Sequence, residues 1–345
     1  MVFACSLEGR RMSEKNVHFQ KSLTVNQARS FELPKPLEEI HDEELQRKQC
    51  ISSVMTHVLR YLTEEFTLNE FEWLLPVVFS QSTDPLWPDQ SASIEKRIEV
   101  EIYGKVVRPT ASMIVHKLVA CSLAYPRLFV LSPNIRIEKR ERAITGLHAY
   151  EFTQLDFEVR NATSQEVRHF VEEVICSLLS DLKAKMDDDL FRLRTGHSLP
   201  TFSPPFRVYD REELQRELGE GWEFRVTHEN SSPFWVVNLP REFYDYEDFQ
   251  SGRWDNYDLF LPGYGEVLSG ARREFEYEKM IGKMEKGGVR KENYGVLLRL
   301  AKEGRLKSSA GAGIGLERLV SWIVSAEHVG EVQLFPRIPG TAYEL

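Results

Sequence analysis

Apolar residues recur at helical spacing in three segments of the chain, at about 37–66, at 111–124 and after Thr163. The first segment opens at Pro36, whose fixed φ suits the first turn of a helix. The third opens with Thr163 and Glu166, which have the spacing of a capping box. The pattern therefore predicts a helix in each segment.

Short runs rich in β-branched and aromatic residues predict strands, often one directly after another. They lie at 71–80, 97–103, 128–131, 135–138, 151–159, 222–226, 235–239, 257–261 and 264–268. Pro76 assigns the first run to a sheet edge or a strand end. Because few helices separate these strands, we predict an α+β fold, with an antiparallel β-sheet flanked by helices.

The chain has 345 residues, of which 42% are hydrophobic, and this is enough for a sizeable core. We predict a polar N-terminal extension at 1–35 and one catalytic domain at 36–345, with an irregular insertion at about 183–220. The net charge of -9 disfavours extensive binding to a polyanion. The cysteines lack zinc spacing, the apolar runs are too short for a membrane span, and no signal peptide is evident. We therefore expect a soluble, cytoplasmic protein.

Two neighbouring predicted strands carry charged or amide residues and one aromatic ring at alternate positions. Period-two alternation groups them on one face of a sheet. These residues are Arg136 and Glu138 on one strand, and Phe152, Gln154, Asp156 and Glu158 on the other. The pattern suits a ligand-binding patch, and it would also suit a solvated hairpin face.

Residues 311–319 read G-A-G-I-G-L-E-R-L and predict a glycine-rich turn followed by a final helix. Arg318 falls in the first turn of that helix, where the macrodipole disfavours a cation. A bound polyphosphate would supply the missing negative charge. An ordinary glycine-rich helix entry would explain the glycines alone.

Residues 258–274 predict two strands joined at Pro262. Glu266 and Ser269 offer hard oxygen ligands of the kind that Mg²⁺ prefers, and Arg273 offers a planar fork for a carboxylate. A spacing of three puts Glu266 and Ser269 on one face only if the strand has a bulge, which Gly270 would allow. The alternative is a surface hairpin with incidental charges.

Taken in chain order, these segments resemble the signature motifs of class II aminoacyl-tRNA synthetases of the aspartyl/asparaginyl/lysyl subclass. The helix followed by a strand ending at Pro76 resembles the first motif, which implies a homodimer. The runs R-I-E and E-F-T-Q-L-D-F-E resemble the second motif, and G-A-G-I-G-L-E-R-L resembles the third.

The resemblance implies ATP and Mg²⁺ as ligands and assigns a role to each matching residue. For ATP, Arg136 would hold the α-phosphate, Glu138 and His148 would place the triphosphate, Phe152 would stack on adenine, Arg318 would clamp the other adenine face or the γ-phosphate, and Glu266 and Ser269 would bind magnesium. For the amino acid, Asp84 would bind the α-amino group, Gln154 and Asp156 would line the pocket, and Arg273 would grip a carboxylate.

The chain departs from the subclass pattern at two positions. An Arg-His pair of the family is Leu147-His148 here, so one triphosphate contact is missing or comes from Lys139, Arg140 or Arg142. His116 stands where aspartyl-tRNA synthetases usually carry a substrate-binding lysine, and either His116 or a carboxylate of the pocket would take the proton from ammonium.

Only about 35 residues precede the first-motif helix, so we expect no anticodon-binding domain and no tRNA interaction through one. The chain then most resembles the archaeal-type asparagine synthetase related to asparaginyl-tRNA synthetase. This resemblance implies an AMP-forming aspartate–ammonia ligase, in which ATP converts aspartate to β-aspartyl-AMP and ammonia displaces AMP to give asparagine.

Two alternatives remain open. One is a paralogue of aspartyl/asparaginyl-tRNA synthetase that transfers an activated amino acid to another acceptor, such as an amine, a protein or tRNA. The other is an inactive homologue that serves as an interaction module. Retention of Arg136, Glu266 and Arg318 argues against the inactive module.

Overall fold

A computed structural model of the protein describes residues 32–84 and 94–344. Most of the predicted extension at 1–35 lies outside these residues, so the domain boundary there remains a prediction. Within the described residues, no helix is long and apolar enough to cross a membrane. The cytoplasmic location likewise remains a prediction.

The described strands, in chain order, are β1 (Glu72–Leu74), β2 (Phe79–Ser80), β3 (Ile94–Lys96), β4 (Val100–Ile102), β5 (Lys105–Pro109), β6 (Arg127–Ile135), β7 (Ile137–Glu138), β8 (Glu151–Arg160), β9 (Arg207–Asp210), β10 (Phe234–Val237), β11 (Glu247–Asp248), β12 (Arg253–Trp254), β13 (Asn256–Leu261), β14 (Gly265–Arg272) and β15 (Ser309–Gly315). Eight of them form one sheet, in the order β1-β6-β8-β15-β14-β13-β10-β9. The six central strands are antiparallel, whereas β1 and β9 pair in parallel at the two edges.

The described helices are α1 (Asp42–Leu68), α2 (Ile114–Leu123), α3 (Ser164–Leu193), α4 (Arg211–Leu218), α5 (Trp222–Glu229), α6 (Tyr277–Gly287), α7 (Gly295–Lys302) and α8 (Leu316–Val324). Helices α1, α3 and α8 share the main apolar core with Leu155 and Phe157 of β8. Helix α2 packs on β8 from the other face and shares a second core with α6 and α7. The predicted fold class, a mainly antiparallel sheet flanked by helices, is confirmed.

The residues at which α1 and α3 begin are determined by local structure, namely a 3₁₀ turn before α1 and capping hydrogen bonds at α3. Thr163 caps α3 as predicted, because its side chain accepts from the Glu166 N–H while the Glu166 carboxylate accepts from the Thr163 N–H. Pro36 instead precedes a short 3₁₀ turn at Leu37–Glu39, and α1 begins at Asp42. The first predicted helix is therefore correct in position, but it starts several residues later.

Three sequence predictions of local structure are wrong, one of them only in part. Residues 222–226 form helix α5, because Trp222 and Val226, four residues apart, are buried together. Residues 183–220 are irregular only in part: α3 continues to Leu193, residues 194–206 have no helix or strand, and β9 and α4 follow. Residues 311–315 are the end of strand β15 and not a turn: a Cβ added at Gly313 would lie only 3.0 Å from Asp156 Oδ1, so this glycine leaves room for a side chain of β8.

Candidate active site

The polar positions of β8 face α2, because Leu155 and Phe157 between them point into the main core. Phe152 lies at the end of this row that is nearest Arg136, and Asp156 and Glu158 lie further along the strand. The alternation predicted from the sequence is therefore correct. We call the part of this face around Phe152 and Arg136 the cationic end of the site, and the part around Glu158 the buried end.

Arg136 lies between β6 and β7 and is fixed by three neighbours. Its Nε donates to the Ala111 carbonyl at 3.0 Å, and its Nη2 is 3.8 Å from Asp84 Oδ2. The guanidinium carbon lies 5.2 Å from the centroid of the Phe152 ring. Arg136 thus adjoins both the aromatic ring predicted for adenine and the carboxylate predicted for the α-amino group. A cleft opens beside Arg136 and Asp84.

Glu138 is buried at the end of β7, where its Oε2 lies 3.4 Å from Arg142 Nη1. Burial raises the pKa of the Glu138 carboxyl, and the charges of Arg142, Arg136 and Arg318 oppose that shift. Arg142 thus pairs with Glu138 directly, and the charges of Arg136 and Arg318 act on the same carboxylate from further away. A cluster of this charge suits a ligand with several negative charges.

His148 supports Arg142 directly. Its Nε2 accepts from Arg142 Nη1 at 2.7 Å, and its Nδ1 lies 2.6 Å from Thr145 Oγ1. Because the Thr145 hydroxyl donates to the Arg142 carbonyl, Nδ1 of His148 is the donor in that contact. Burial and the charges of Arg318 and Arg142 hold the pKa of His148 well below its usual value, so the ring is neutral at neutral pH.

Of the three cations offered by the sequence for the missing triphosphate contact, Arg142 is the one that lies beside Glu138. Arg140 is 74% exposed and pairs with Glu95 at 3.5 Å, away from this cluster. The sequence left the choice open because Arg142 reaches Glu138 through the 3₁₀ turn at Arg140–Thr145.

Arg318, in the first turn of α8, lies against β14 and against Leu147, which follows the 3₁₀ turn at Arg140–Thr145. Its Nε donates to the Leu147 carbonyl at 3.1 Å, and its Nη1 donates to the Glu266 carbonyl at 3.1 Å and lies 3.4 Å from Glu266 Oε1. A carboxylate and two carbonyls thus offset the unfavourable helix dipole at this position. The side chain keeps 26% of its surface exposed and can also contact a ligand.

A bulge in β14 lies at Val267, because Glu266 pairs with Phe260 while Leu268 pairs with Leu259. The bulge predicted for the Glu266 and Ser269 pair therefore exists, but Gly270 lies outside it. A Cβ at Gly270 would collide with the Tyr257 ring, so close packing requires this glycine.

Arg241 contacts Ser269, one of the two residues predicted to bind magnesium. It donates to Ser269 Oγ and to Asp258 Oδ2. Burial lowers the pKa of Arg241, but Asp258 and Glu266 raise it by more, so the guanidinium stays charged. Glu266 remains partly exposed. Within the described residues, no three His, Cys, Asp or Glu side chains converge as metal ligands.

At the buried end of the site, Lys117 of α2 reaches the β8 carboxylates. Its Nζ donates to Asp156 Oδ1 at 2.8 Å and lies 3.5 Å from Glu158 Oε2. Two backbone carbonyls, of Phe157 and Ala312, accept its other hydrogens. Lys117 shares the buried face of α2 with Ile114, Leu118 and Cys121, and this spacing is the signal that the sequence analysis missed.

His116 points elsewhere: its Nε2 lies 3.1 Å from Ser80 Oγ. The structure therefore brings Lys117, and not His116, to Asp156. Gln154 is held by its neighbour on β6, since its Oε1 accepts from Asn134 Nδ2 at 2.6 Å.

Arg273, just after β14, is enclosed by acceptors of the chain itself. Nη1 donates to Asp245 Oδ1 at 2.6 Å, Nε donates to Glu158 Oε1 at 3.3 Å, and Nη2 donates to the Gly311 carbonyl at 3.1 Å. Burial lowers the pKa of Arg273, but Glu158 and Asp245 raise it by more. No sequence pattern singled out Asp245, which lies in an irregular segment and meets Arg273 only through the fold.

Two buried carboxylate oxygens at this end have no hydrogen-bond partner among the described residues, Asp156 Oδ2 and Glu158 Oε2. Such acceptors are costly to bury unless a donor reaches them. Their position beside Lys117 and Arg273 therefore suits a ligand group that carries N–H hydrogens.

A family model described as class II tRNA synthetases (D, K and N) matches residues 94–339. The chain belongs to this family. The fold of the chain also matches solved structures of class II synthetases. The chain superposes on Pyrococcus horikoshii asparaginyl-tRNA synthetase complexed with asparaginyl-adenylate, with a TM-score of 0.75 at 21% identity, over 91% of this chain and 76% of that one. Entamoeba histolytica asparaginyl-tRNA synthetase gives a TM-score of 0.73 at 20% identity, over 86% and 68%.

Curated relatives of this class II chain include asparagine–tRNA ligases. That of Thermococcus kodakarensis is 31% identical over 66% of this chain, which spans 56% of that relative's length. That of Pyrococcus abyssi is 28% identical over 95% of this chain and 79% of the relative. These findings overturn the prediction of an AMP-forming aspartate–ammonia ligase that makes free asparagine. The error arose from reading the short N-terminal segment as evidence about the acceptor.

Proposed function

We propose that the chain activates asparagine with ATP, forming asparaginyl-AMP and pyrophosphate, and passes the asparaginyl group to an acceptor. One observation carries the proposal: Arg136 of the arginine cluster adjoins β8 at Phe152, on the same face of that strand as the Asp156 and Glu158 oxygens that have no hydrogen-bond partner among the described residues. The first suits a triphosphate and the second suits a carboxamide. The asparagine–tRNA ligases among the relatives support the same choice of amino acid.

The chemistry is an in-line displacement at the α-phosphorus. A carboxylate oxygen of asparagine attacks phosphorus, the bond to the bridging oxygen of pyrophosphate breaks, and no side-chain nucleophile is needed. Arg136 would neutralise the charge that develops on the α-phosphate. Arg142 and Arg318 would hold the departing pyrophosphate, and neutral His148 would keep Arg142 in place.

We also propose that magnesium accompanies the nucleotide. Glu266 fits this role, since its carboxylate is partly exposed beside Arg318, and Mg²⁺ is commonly bound by one or two carboxylates together with phosphate oxygens. Ser269 fits less well because Arg241 donates to its hydroxyl. When bound, the ion would supply a further positive charge to the phosphates.

A homodimer is proposed from the exposed edge at β1. Trp73 is 54% exposed and Leu75 is 87% exposed, and Val78 and Phe79 extend the same apolar edge beyond Pro76. A second copy would cover these side chains. Sedimentation velocity at micromolar concentration should give a dimer that Leu75→Arg converts to monomer, and a monomeric wild type would contradict the proposal.

Amino-acid-dependent exchange of labelled pyrophosphate into ATP tests the activation step. We expect asparagine to support exchange and the other protein amino acids to support far less. The acceptor is tested separately by incubating the enzyme with labelled asparagine, ATP and tRNA, an amine or protein. The relatives' names make tRNA the first acceptor to test, and they lend no support to the expectation that tRNA is not bound. Failure of exchange with asparagine would overturn the proposed function.

A further inference from the structure

Arg273 was expected to grip a substrate carboxylate, but the chain itself supplies the carboxylates. Asp245 and Glu158 occupy two edges of the guanidinium, and the Gly311 carbonyl accepts a third N–H. The Arg273 side chain is only 6% exposed and those of Asp245 and Glu158 are 3% and 0% exposed. A substrate carboxylate approaching this arginine would therefore have to displace Asp245 or lie beside it.

The hydrogen-bonding groups still free at the buried end of the site are acceptors and not donors, among the described residues. All three N–H groups of Lys117 are donated within the chain. The side-chain atoms at this end that lack a hydrogen-bond partner among the described residues are acceptors, Asp156 Oδ2 and Glu158 Oε2, and the latter lies 3.5 Å from Lys117 Nζ. A carboxylate adds acceptors and negative charge to such a site, whereas a carboxamide adds two N–H donors and no charge.

We infer that Asp245 is a specificity-determining residue, which occupies Arg273 in the place of a substrate carboxylate and so excludes amino acids with an acidic side chain. This inference rests on the proposed function, because it concerns which amino acid that site activates. Glu158 alone would leave Arg273 with a free edge for aspartate. Asp245 accepts the hydrogen bond that this edge of the guanidinium would otherwise donate to the substrate. The carboxylate of a bound aspartate side chain would lie beside Asp245 in a buried site, where like charges repel.

Asp245→Asn is the direct test, since it keeps the shape of the side chain and removes its charge. Asp248→Asn is the matched control, because it makes the same change three residues along, where Asp248 caps an exposed turn with Ser251. Pyrophosphate exchange with asparagine and with aspartate gives a ratio of kcat/KM for each variant. We expect Asp245→Asn to raise the aspartate-to-asparagine ratio about tenfold or more, mainly through the aspartate KM, and Asp248→Asn to leave it unchanged.

A binding measurement separates this inference from the proposed function. The probes are the non-hydrolysable sulfamoyl analogues of aspartyl- and asparaginyl-adenylate, titrated calorimetrically into folded protein. Asp245→Asn should tighten the aspartyl analogue relative to the asparaginyl analogue by a similar factor, whether or not exchange is observed. If wild type exchanges asparagine but the variant leaves both ratios unchanged, the role of Asp245 is overturned and the proposed function stands.

If exchange fails while the analogue ratio changes, the proposed function fails and the role of Asp245 stands. If neither analogue binds to wild type or variant, both are overturned. Asp245→Ser replaces Asp245→Asn if the latter does not fold. If neither variant folds, the wild-type affinities decide: an aspartyl analogue bound about tenfold or more weakly than the asparaginyl analogue supports the inference, and equal affinities overturn it.

Discussion

At the cationic end of the site, proposed to bind ATP, the side chains of Arg136, Arg142 and Arg318 keep between 23% and 26% of their surface exposed. At the buried end, proposed to bind the amino acid, those of Lys117 and Arg273 are 2% and 6% exposed and are paired with carboxylates at 2.6 to 3.5 Å. Both sets are paired with carboxylates, but only the first keeps surface that a charged ligand can contact. We therefore propose that the cationic end supplies charge to the reaction and that the buried end selects by shape and hydrogen bonding.

The largest expected effect lies at the buried end and concerns stability. Lys117→Met should lower the free energy of unfolding by about 3–5 kcal/mol, because it leaves Asp156 and Glu158 buried without their cation. Lys279→Met is the control, since Lys279 pairs with Glu276 at the surface and should cost below about 1 kcal/mol. Guanidinium denaturation measures both, and equal losses in the two variants would refute the contrast.

At the cationic end, which is the more open of the two, a substitution should change the reaction rate and not the stability. Arg136→Ala should lower kcat for asparagine-dependent exchange by roughly 10²–10³-fold, the size of effect seen when one transition-state donor is removed. Its unfolding free energy should change by less than about 1 kcal/mol, because the side chain is partly exposed. Arg140→Ala, which changes an exposed arginine nearby, should retain wild-type kcat. An Arg136→Ala variant with normal turnover would exclude Arg136 from the chemistry.

Glu317 sharpens the comparison because it is a buried carboxylate at the cationic end, where its two oxygens accept from the Thr153 N–H at 2.9 and 3.0 Å. Burial raises the pKa of Glu317 from 4.5 to about 7. A raised pKa in the folded state gives stability that is full below pH 4.5 and is lost as the pH rises to about 7. The unfolding free energy of wild type minus that of Glu317→Gln should therefore fall by on the order of 2 kcal/mol between pH 5 and pH 8. A difference that is independent of pH would show that Glu317 titrates normally.

The smallest effect is expected at Phe152, which contributes contact area and no charge. Phe152→Ala should raise the KM for ATP about tenfold, the cost of losing one ring stacked on a base, while the asparagine KM changes little. Phe191→Ala removes a half-exposed ring on α3 and serves as the control. An unchanged KM for ATP would remove Phe152 from the adenine site.

More residues of the cationic end than of the buried end could be singled out from the sequence, and the reason is physical. Arg136, Glu138, Phe152, Glu266 and Arg318 lie on or beside elements whose period or motif could be read locally. Lys117 and Asp245 contribute through contacts with residues 39 and 28 positions away, which no local pattern specifies. His116 was predicted and its neighbour Lys117 was not considered, since only the packing of α2 on β8 shows which of the two reaches Asp156.

The fold shows the same division. The capping box and the strand alternation of β8 depend on neighbouring residues and were predicted correctly. The glycines of β15 were misread as a turn because their function is to make room for Asp156 and Glu158 on the adjacent strand. That requirement exists only once the two strands are paired.

The central claim, activation of asparagine through its carboxylate, is tested most directly with asparagine labelled with ¹⁸O in the α-carboxylate. The protein is incubated with ATP, magnesium and this amino acid, and the AMP released after transfer or hydrolysis is weighed by mass spectrometry. Attack of the carboxylate on the α-phosphorus leaves one labelled oxygen in AMP, and this is the result we predict. Unlabelled AMP, or no AMP dependent on asparagine, would contradict it.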